Sequence, residues 1–135
     1  MLNTLNGLFI AAVLVGTPLL LGALGEILTE RSGNLNLGVK GMMFMGAITG
    51  LAGSYYYEQA VIGSGGNPNG AVSSVIALLT SFAAGSLGAL IYSFLTITLR
   101  ANQNVTGLTL TIFGTGFGNF FAESISVQKA GGMWR

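Results

Sequence analysis

Apolar residues run along this chain in four long uncharged blocks, 7–25, 41–57, 71–99 and 105–122, separated by short polar stretches. A hydrocarbon core of about 30 Å is crossed by roughly 17 to 25 helical residues, and each block reaches that range. The pattern predicts four spans at approximately 7–28, 41–57, 71–99 and 105–122, the first carried past Glu26. No Lys or Arg precedes the first block, and it exceeds the roughly 7 to 15 apolar residues of a signal core, so it is expected to stay as a span.

One stretch follows another period. "LTITLRANQNVTGLTLTIF" (95–113) alternates apolar residues with Thr on both sides of a polar centre, the mark of a hairpin or a pair of barrel strands. A barrel would alternate throughout, whereas "GLFIAAVLVGTPLLLGALG" and "SSVIALLTSFAAGSLGALIYSFL" are continuously apolar and too long for strands. Helices are therefore expected here too. A Thr hydroxyl can bond a carbonyl one turn back, which makes Thr-rich helix ends tolerable in lipid.

Composition turns this pattern into a statement about solvent. The chain is 51% hydrophobic and 7% charged, with a mean hydropathy of +0.71, against about 25% charged residues in an ordinary soluble domain. The expected fold is all-α, a polytopic transmembrane helical bundle of about four spans in one domain over residues 1–135. The 22 glycines fit that setting, because small residues let helix backbones approach in lipid. Gly46 and Gly50, Ala84 and Gly88, and Gly114 and Gly118 are each four apart, so each pair shares a helix face. Pro18 lies inside the first span, where it removes a backbone bond and is a candidate kink.

Charge placement suggests an orientation. Arg31 and Lys40 separate the first two spans and Arg100 the last two, while "YEQAVIGSGGNPNG" carries Glu58 and no base. The positive-inside rule then places the first and third connections in the cytoplasm, with Lys129 and Arg135 counting against it.

The chain has no His, Cys or Asp. Thiol nucleophiles, zinc sites, Ser-His-Asp triads and aspartate pairs are unavailable, so no enzyme, cofactor or metal centre is expected. A Walker-type phosphate loop is absent, and five scattered basic residues make no nucleic-acid surface.

The most polar stretch is "TERSGNLNLGVKG" (29–41). As a plain loop, it turns at Gly33, bonds its own backbone through Ser32 and Asn34, and anchors helix ends at headgroups through Arg31 and Lys40. The alternation Asn34, Leu35, Asn36, Leu37 also fits an extended segment at membrane depth, which is tolerated only where it packs in protein or lines a wet cavity. Composition leaves both readings open.

The run "PLLLGALGEILTERSGNLNLGVKGMMFMGAITG" (18–50) resembles the amino-terminal part of the membrane permeases of bacterial ABC importers for nucleosides and simple sugars, relatives of the ribose and branched-chain amino acid permeases. That family's motif reads Glu-Arg-Ser/Ala-Gly, two aliphatic residues, Asn, an aliphatic residue, Gly, an aliphatic residue, then Glu-Gly-Met/Leu-Met. Glu30, Arg31, Ser32, Gly33, Asn36, Gly38, Gly41 and Met43 match it. Asn34 stands where an aliphatic residue is usual, and Lys40 reverses the charge of a Glu. "RANQNVTGLTLTIFGTGFGNFF" also resembles a family segment in which Asn and Gly-Leu open a helix. Complete members are longer and include a stretch that docks on the ATPase, so the resemblance implies an amino-terminal fragment of an ABC permease fold.

What the resemblance implies is alternating access in the bacterial cytoplasmic membrane. An extracytoplasmic solute-binding protein delivers a small-molecule solute, two permease subunits form the pathway among membrane lipid, and ABC ATPase subunits drive the switch. The predicted spans hold no Lys or Arg that could retain an anion, which points to an uncharged polar solute, a nucleoside or simple sugar. Asn36, Asn102 and Asn104 are the candidate pathway amides, with helix capping as the alternative for each. Glu30, Arg31, Gly33, Gly38 and Gly41 are the motif's structural residues. Glu26, one turn inside the end of the first helix, is expected to snorkel or to pair with Arg31 or Lys40. The alternative function is a small membrane scaffold whose glycine faces bind partner helices without transporting anything.

Overall fold

A computed structural model describes the backbone of residues 2–132 and the side chains of residues 4–125. Lys129 and Arg135, which enter the charge count, lie outside the described side chains. Among the described residues the elements are α1 (Leu2–Arg31), α2 (Val39–Gly63), α3 (Gly70–Ser93) and α4 (Gln103–Gly132), with a π-helical turn, Phe94–Thr98, continuing α3. There is no strand among them.

The Thr-rich alternating stretch is helical on both sides of its polar centre, and its hydroxyls show how. Thr96 Oγ1 donates to the Tyr92 carbonyl and Thr109 Oγ1 to the Val105 carbonyl, each 2.8 Å away and one turn back. Polar side chains thus find partners inside their own helix. The continuation of α3 is wider than an α-helix, closing with Leu99 N–H donating to the Phe94 carbonyl at 3.1 Å. Arg100 follows in the left-handed region at φ 52°, the one non-glycine described there, and the chain leaves the helix. Pro18 does not break α1, which runs through it.

α1 and α2 end in the same way. After α1, Gly33 N–H donates to the Glu30 carbonyl and Asn34 N–H to the Thr29 carbonyl, with Gly33 at φ 83°. After α2, Gly65 N–H donates to Ile62 and Gly66 N–H to Val61, with Gly65 at φ 79°. Each is a Schellman ending, in which a left-handed glycine lets two N–H groups return to the last carbonyls. Ser32 and Ser64 precede these glycines, and each hydroxyl donates three residues back. The start of α3 is capped by Asn69, whose Oδ1 accepts from Ala71 N–H at 3.0 Å.

α2 is the centre of the bundle, with α3 and α4 packed on it and α1 lying lightly alongside. Small residues make the crossings close. A Cβ on Gly41 would sit 2.5 Å from the Leu110 carbonyl oxygen, and one on Gly114 would sit 2.5 Å from the Gly41 oxygen. Gly46 and Gly50 face Ser81 of α3, Gly88 faces Met42, and Gly118 faces Phe44. The core between these helices is small: Met42, Met45, Tyr92, Leu110 and Ile125 are its buried large side chains. Apolar residues instead line the outside, with Phe82 77%, Ile112 70% and Leu14 69% exposed. Such a surface suits a hydrocarbon solvent, where helices associate by close packing rather than by hiding apolar area. Two segments, Thr4–Arg31 and Gly70–Thr98, are long and apolar enough to cross a membrane by length and composition.

Candidate functional site

The polar stretch between α1 and α2 is an extended segment built into the bundle. Once the Schellman turn releases the chain at Asn34, whose N–H returns to the Thr29 carbonyl, the backbone groups of Leu35 and the carbonyl of Leu37 need partners outside α1 and α2. α3 and α4 supply them. Gln103 Oε1 accepts from Leu35 N–H at 3.0 Å, and Gln103 Nε2 donates to Asn34 Oδ1 at 2.7 Å. Tyr92 of α3 donates its hydroxyl to the Leu35 carbonyl at 2.8 Å. Thr111 of α4 donates to the Leu37 carbonyl at 2.7 Å. Three backbone groups of the strip, Leu35 N–H and the Leu35 and Leu37 carbonyls, thus find side-chain partners on two helices, the kind of pairing that non-helical backbone in a membrane protein needs.

Asn36 sits at the centre of the segment and is only 6% exposed. Its Oδ1 accepts from Gly38 N–H at 3.0 Å, an Asx turn that directs the chain into α2. No side chain caps α2, whose N-cap position is Gly38. α4 passes close to this turn at Gly107, where glycine is needed: a Cβ there would lie 2.9 Å from Gly38 N and from Leu37 Cβ. Asn36 lies in the wall of two cavities. One of about 340 Å³ lies between α1 and α2, with Glu26 and Lys40 also in its wall. The other, about 180 Å³, is lined by Thr29, Asn34, Tyr92, Ser93 and Thr96 among others.

The other candidate residues are distributed around this segment. Asn102 is exposed and caps α4, its Oδ1 accepting from Asn104 N–H at 3.0 Å and Val105 N–H at 3.4 Å. Asn104 is exposed in the first turn of α4, and neither Asn102 nor Asn104 bonds the extended segment. The residue between them, Gln103, does so instead. Glu30 and Arg31 are exposed at the end of α1, Gly33 makes its turn, Gly38 opens α2, and Gly41 is the crossing point with α4. Glu26 is half-buried, and with Lys40 and Arg31 also described it forms no ion pair with either.

Sequence reasoning passed over Gln103 and Tyr92, and it read Asn34 as a local backbone partner and a departure from a motif rather than as a link to α4. Two signals were present. Tyr92 is the one Tyr in the third apolar block, and Asn34 and Gln103 are uncharged amides within the two polar inserts. Their bond also shows that the first and third connections lie at the same end of the bundle.

An all-α membrane chain with a broken, side-chain-stabilised segment between its first two helices is the class that this geometry defines. The chain belongs to the family described as branched-chain amino acid transport system / permease component, which it matches over residues 8–134. It is 38% identical over 122 residues to a protein of Haloferax volcanii named "Putative glucose ABC transporter permease protein", covering 87% of this chain and 31% of that one. It is 33% identical over 115 residues to a guanosine ABC transporter permease protein of Bacillus subtilis, covering 85% and 34%. A nucleoside ABC transporter permease protein of Lactococcus lactis is 25% identical over 138 residues, covering 98% and 41%. The chain thus spans about a third of the length of these curated relatives. No solved structure matches it.

Proposed function

We propose that this chain forms part of the solute pathway of an ATP-driven ABC importer, for an uncharged polar solute that is a nucleoside or a simple sugar. The observation that carries the reading is the non-helical segment around the buried Asn36, hydrogen-bonded to Tyr92, Gln103 and Thr111 beside two cavities. Non-helical backbone in a membrane protein packs in protein or lines a wet cavity, and two cavities border this segment. The names of the relatives, for glucose, guanosine and nucleosides, support the same solute class.

In this reading the four helices span the bacterial cytoplasmic membrane, with the ends that meet at Asn34 and Gln103 facing the cytoplasm. Arg31, Lys40 and Arg100 all lie at or near that end, as the positive-inside rule favours. The partners are ABC ATPase subunits, where ATP is hydrolysed, a second permease subunit and an extracytoplasmic solute-binding protein. Asn36, with Asn102 and Asn104 nearby in the α4 cap, supplies amides to the pathway.

The test is uptake of labelled nucleosides and sugars by cells with the gene intact or disrupted. Loss of energy-dependent uptake of one of these solutes on disruption supports the proposal. Unchanged uptake of all of them, with a disturbed assembly of another membrane complex, would instead make the chain a scaffold.

A further inference from the structure

We infer that the cavity between α1 and α2 is a subsite for two neighbouring hydroxyls on a ring, with Asn36 donating to them and Glu26 accepting from them. This rests on the importer reading and extends it to one place in the fold. The cavity of about 340 Å³ lies in the roughly 300 to 1,000 Å³ range of small-molecule sites. Its walls are chiefly apolar, including Leu19, Leu37 and Met43, with Glu26, Asn36 and Lys40 as the charged and amide groups.

Asn36 provides the independent observation. With its oxygen committed to Gly38 N–H, the amide orientation is fixed by the donor it faces, and the NH2 has no protein partner. Asn36 is more than nine-tenths buried, yet no side-chain nitrogen or oxygen among the described residues is both shut off from solvent and unpartnered. The NH2 therefore opens onto cavity space. Of the two cavities that meet at Asn36, the smaller, about 180 Å³, falls below the range of small-molecule sites and suits a few ordered waters at roughly 30 Å³ each. The larger has the room.

The polar groups of the larger cavity select the solute by its hydrogen bonds. An amide NH2 and an ammonium only donate, and a carboxylate only accepts. Glu26 and Lys40 line this one space without forming an ion pair, so the gap between them is available to a molecule. A hydrocarbon would leave all three groups unpartnered, and an anion would meet Glu26. A pair of adjacent hydroxyls answers every group, donating to Glu26 while accepting from Asn36 and Lys40. Ribonucleosides and hexoses both carry such a pair.

The test measures uptake in cells carrying the native transporter, using guanosine, 2′,3′-dideoxyguanosine and glucose. Asn36→Asp keeps the oxygen that Gly38 needs and removes the donor, while Glu26→Gln keeps the shape and removes the charge. Each variant should raise KM by about tenfold or more with its level in the membrane unchanged, as expected for a lost charge-assisted or buried hydrogen bond. Wild type should prefer guanosine over the dideoxy analogue by a similar factor, and the variants should lose that preference; if glucose is the solute transported, competition by other hexoses and not by guanosine identifies it. Ser86→Ala, exposed on α3 away from both cavities, should match wild type. Wild-type KM and unchanged diol preference in both variants would overturn the subsite and leave the importer standing. Failure of wild type to take up either guanosine or glucose would overturn both.

Discussion

Gln103 grips the extended segment with both ends of its amide, donating to Asn34 Oδ1 at 2.7 Å and accepting from Leu35 N–H at 3.0 Å. These two bonds tie the connection after α1 to the first turn of α4, across 69 residues of sequence. Gln103→Leu should remove both bonds and leave Leu35 N–H without its partner. A loss of about 1 to 2 kcal/mol is expected, since interhelical hydrogen bonds in membrane proteins average less than those in water. Gln103→Glu retains the acceptor and should fall between wild type and Leu. Unfolding of the purified protein in mild detergent measures the order.

The crossing of α2 and α4 should be intolerant of a methyl group. At Gly41 and Gly114 an added Cβ meets backbone atoms, which cannot rotate away as a side chain can. Gly41→Ala and Gly114→Ala should each cost about 1 to 3 kcal/mol or prevent assembly. Gly16→Ala, where an added Cβ meets nothing within 4 Å, should be neutral or slightly stabilising. Equal behaviour of all three in a thermal melt would show that the close crossing is not formed.

Gly33 is constrained by its backbone rather than by neighbours, with φ at 83° and nothing within 4 Å of a built Cβ. Gly33→Ala should therefore cost about 1 kcal/mol, and Gly33→Asn less, because Asn tolerates the left-handed region better. A melting series of the two variants would check this order.

Topology is testable because the chain has no Cys. Single cysteines at Ser32 and Ala101 should react with an impermeant thiol reagent from the same side of the membrane, and a cysteine at Asn67 from the opposite side. In intact cells only Asn67→Cys should be labelled without permeabilisation. Labelling of all three from outside would contradict the four-span arrangement.

The helices were legible because long apolar blocks leave little choice in lipid, and the turn after α1 because of Gly33, whereas α2 runs to Gly63, past the end of its apolar block at 57. Spacing of four also put Gly46 with Gly50 on the α3 face and Gly114 with Gly118 on the α2 face. The extended segment was half legible. Its amides stood out, but composition could not separate a loop in water from a strip packed in protein. That distinction is made by Tyr92, 57 residues downstream of Leu35, and by Gln103, and contacts over such separations leave no mark on local periodicity. Gln103 lies between two candidate asparagines, and only its position at the start of α4 turns it toward Asn34. The π-helical turn was illegible for a related reason, since Phe94–Thr98 has the same apolar and Thr residues as the helices around it.

The most direct measurement of whether the space beside Asn36 is wet and faces a solute uses Ala23→Cys in the native transporter. Ala23 is exposed on α1 and lies in the wall of the larger cavity, and this would be the one thiol in the chain. The account expects a small water-soluble thiol reagent to label it, and the transported nucleoside or sugar to slow that labelling. A thiol that stays unreactive, or that labels at the same rate with saturating solute, would contradict a pathway at this segment and leave residues 34–36 as a packed connection between helices.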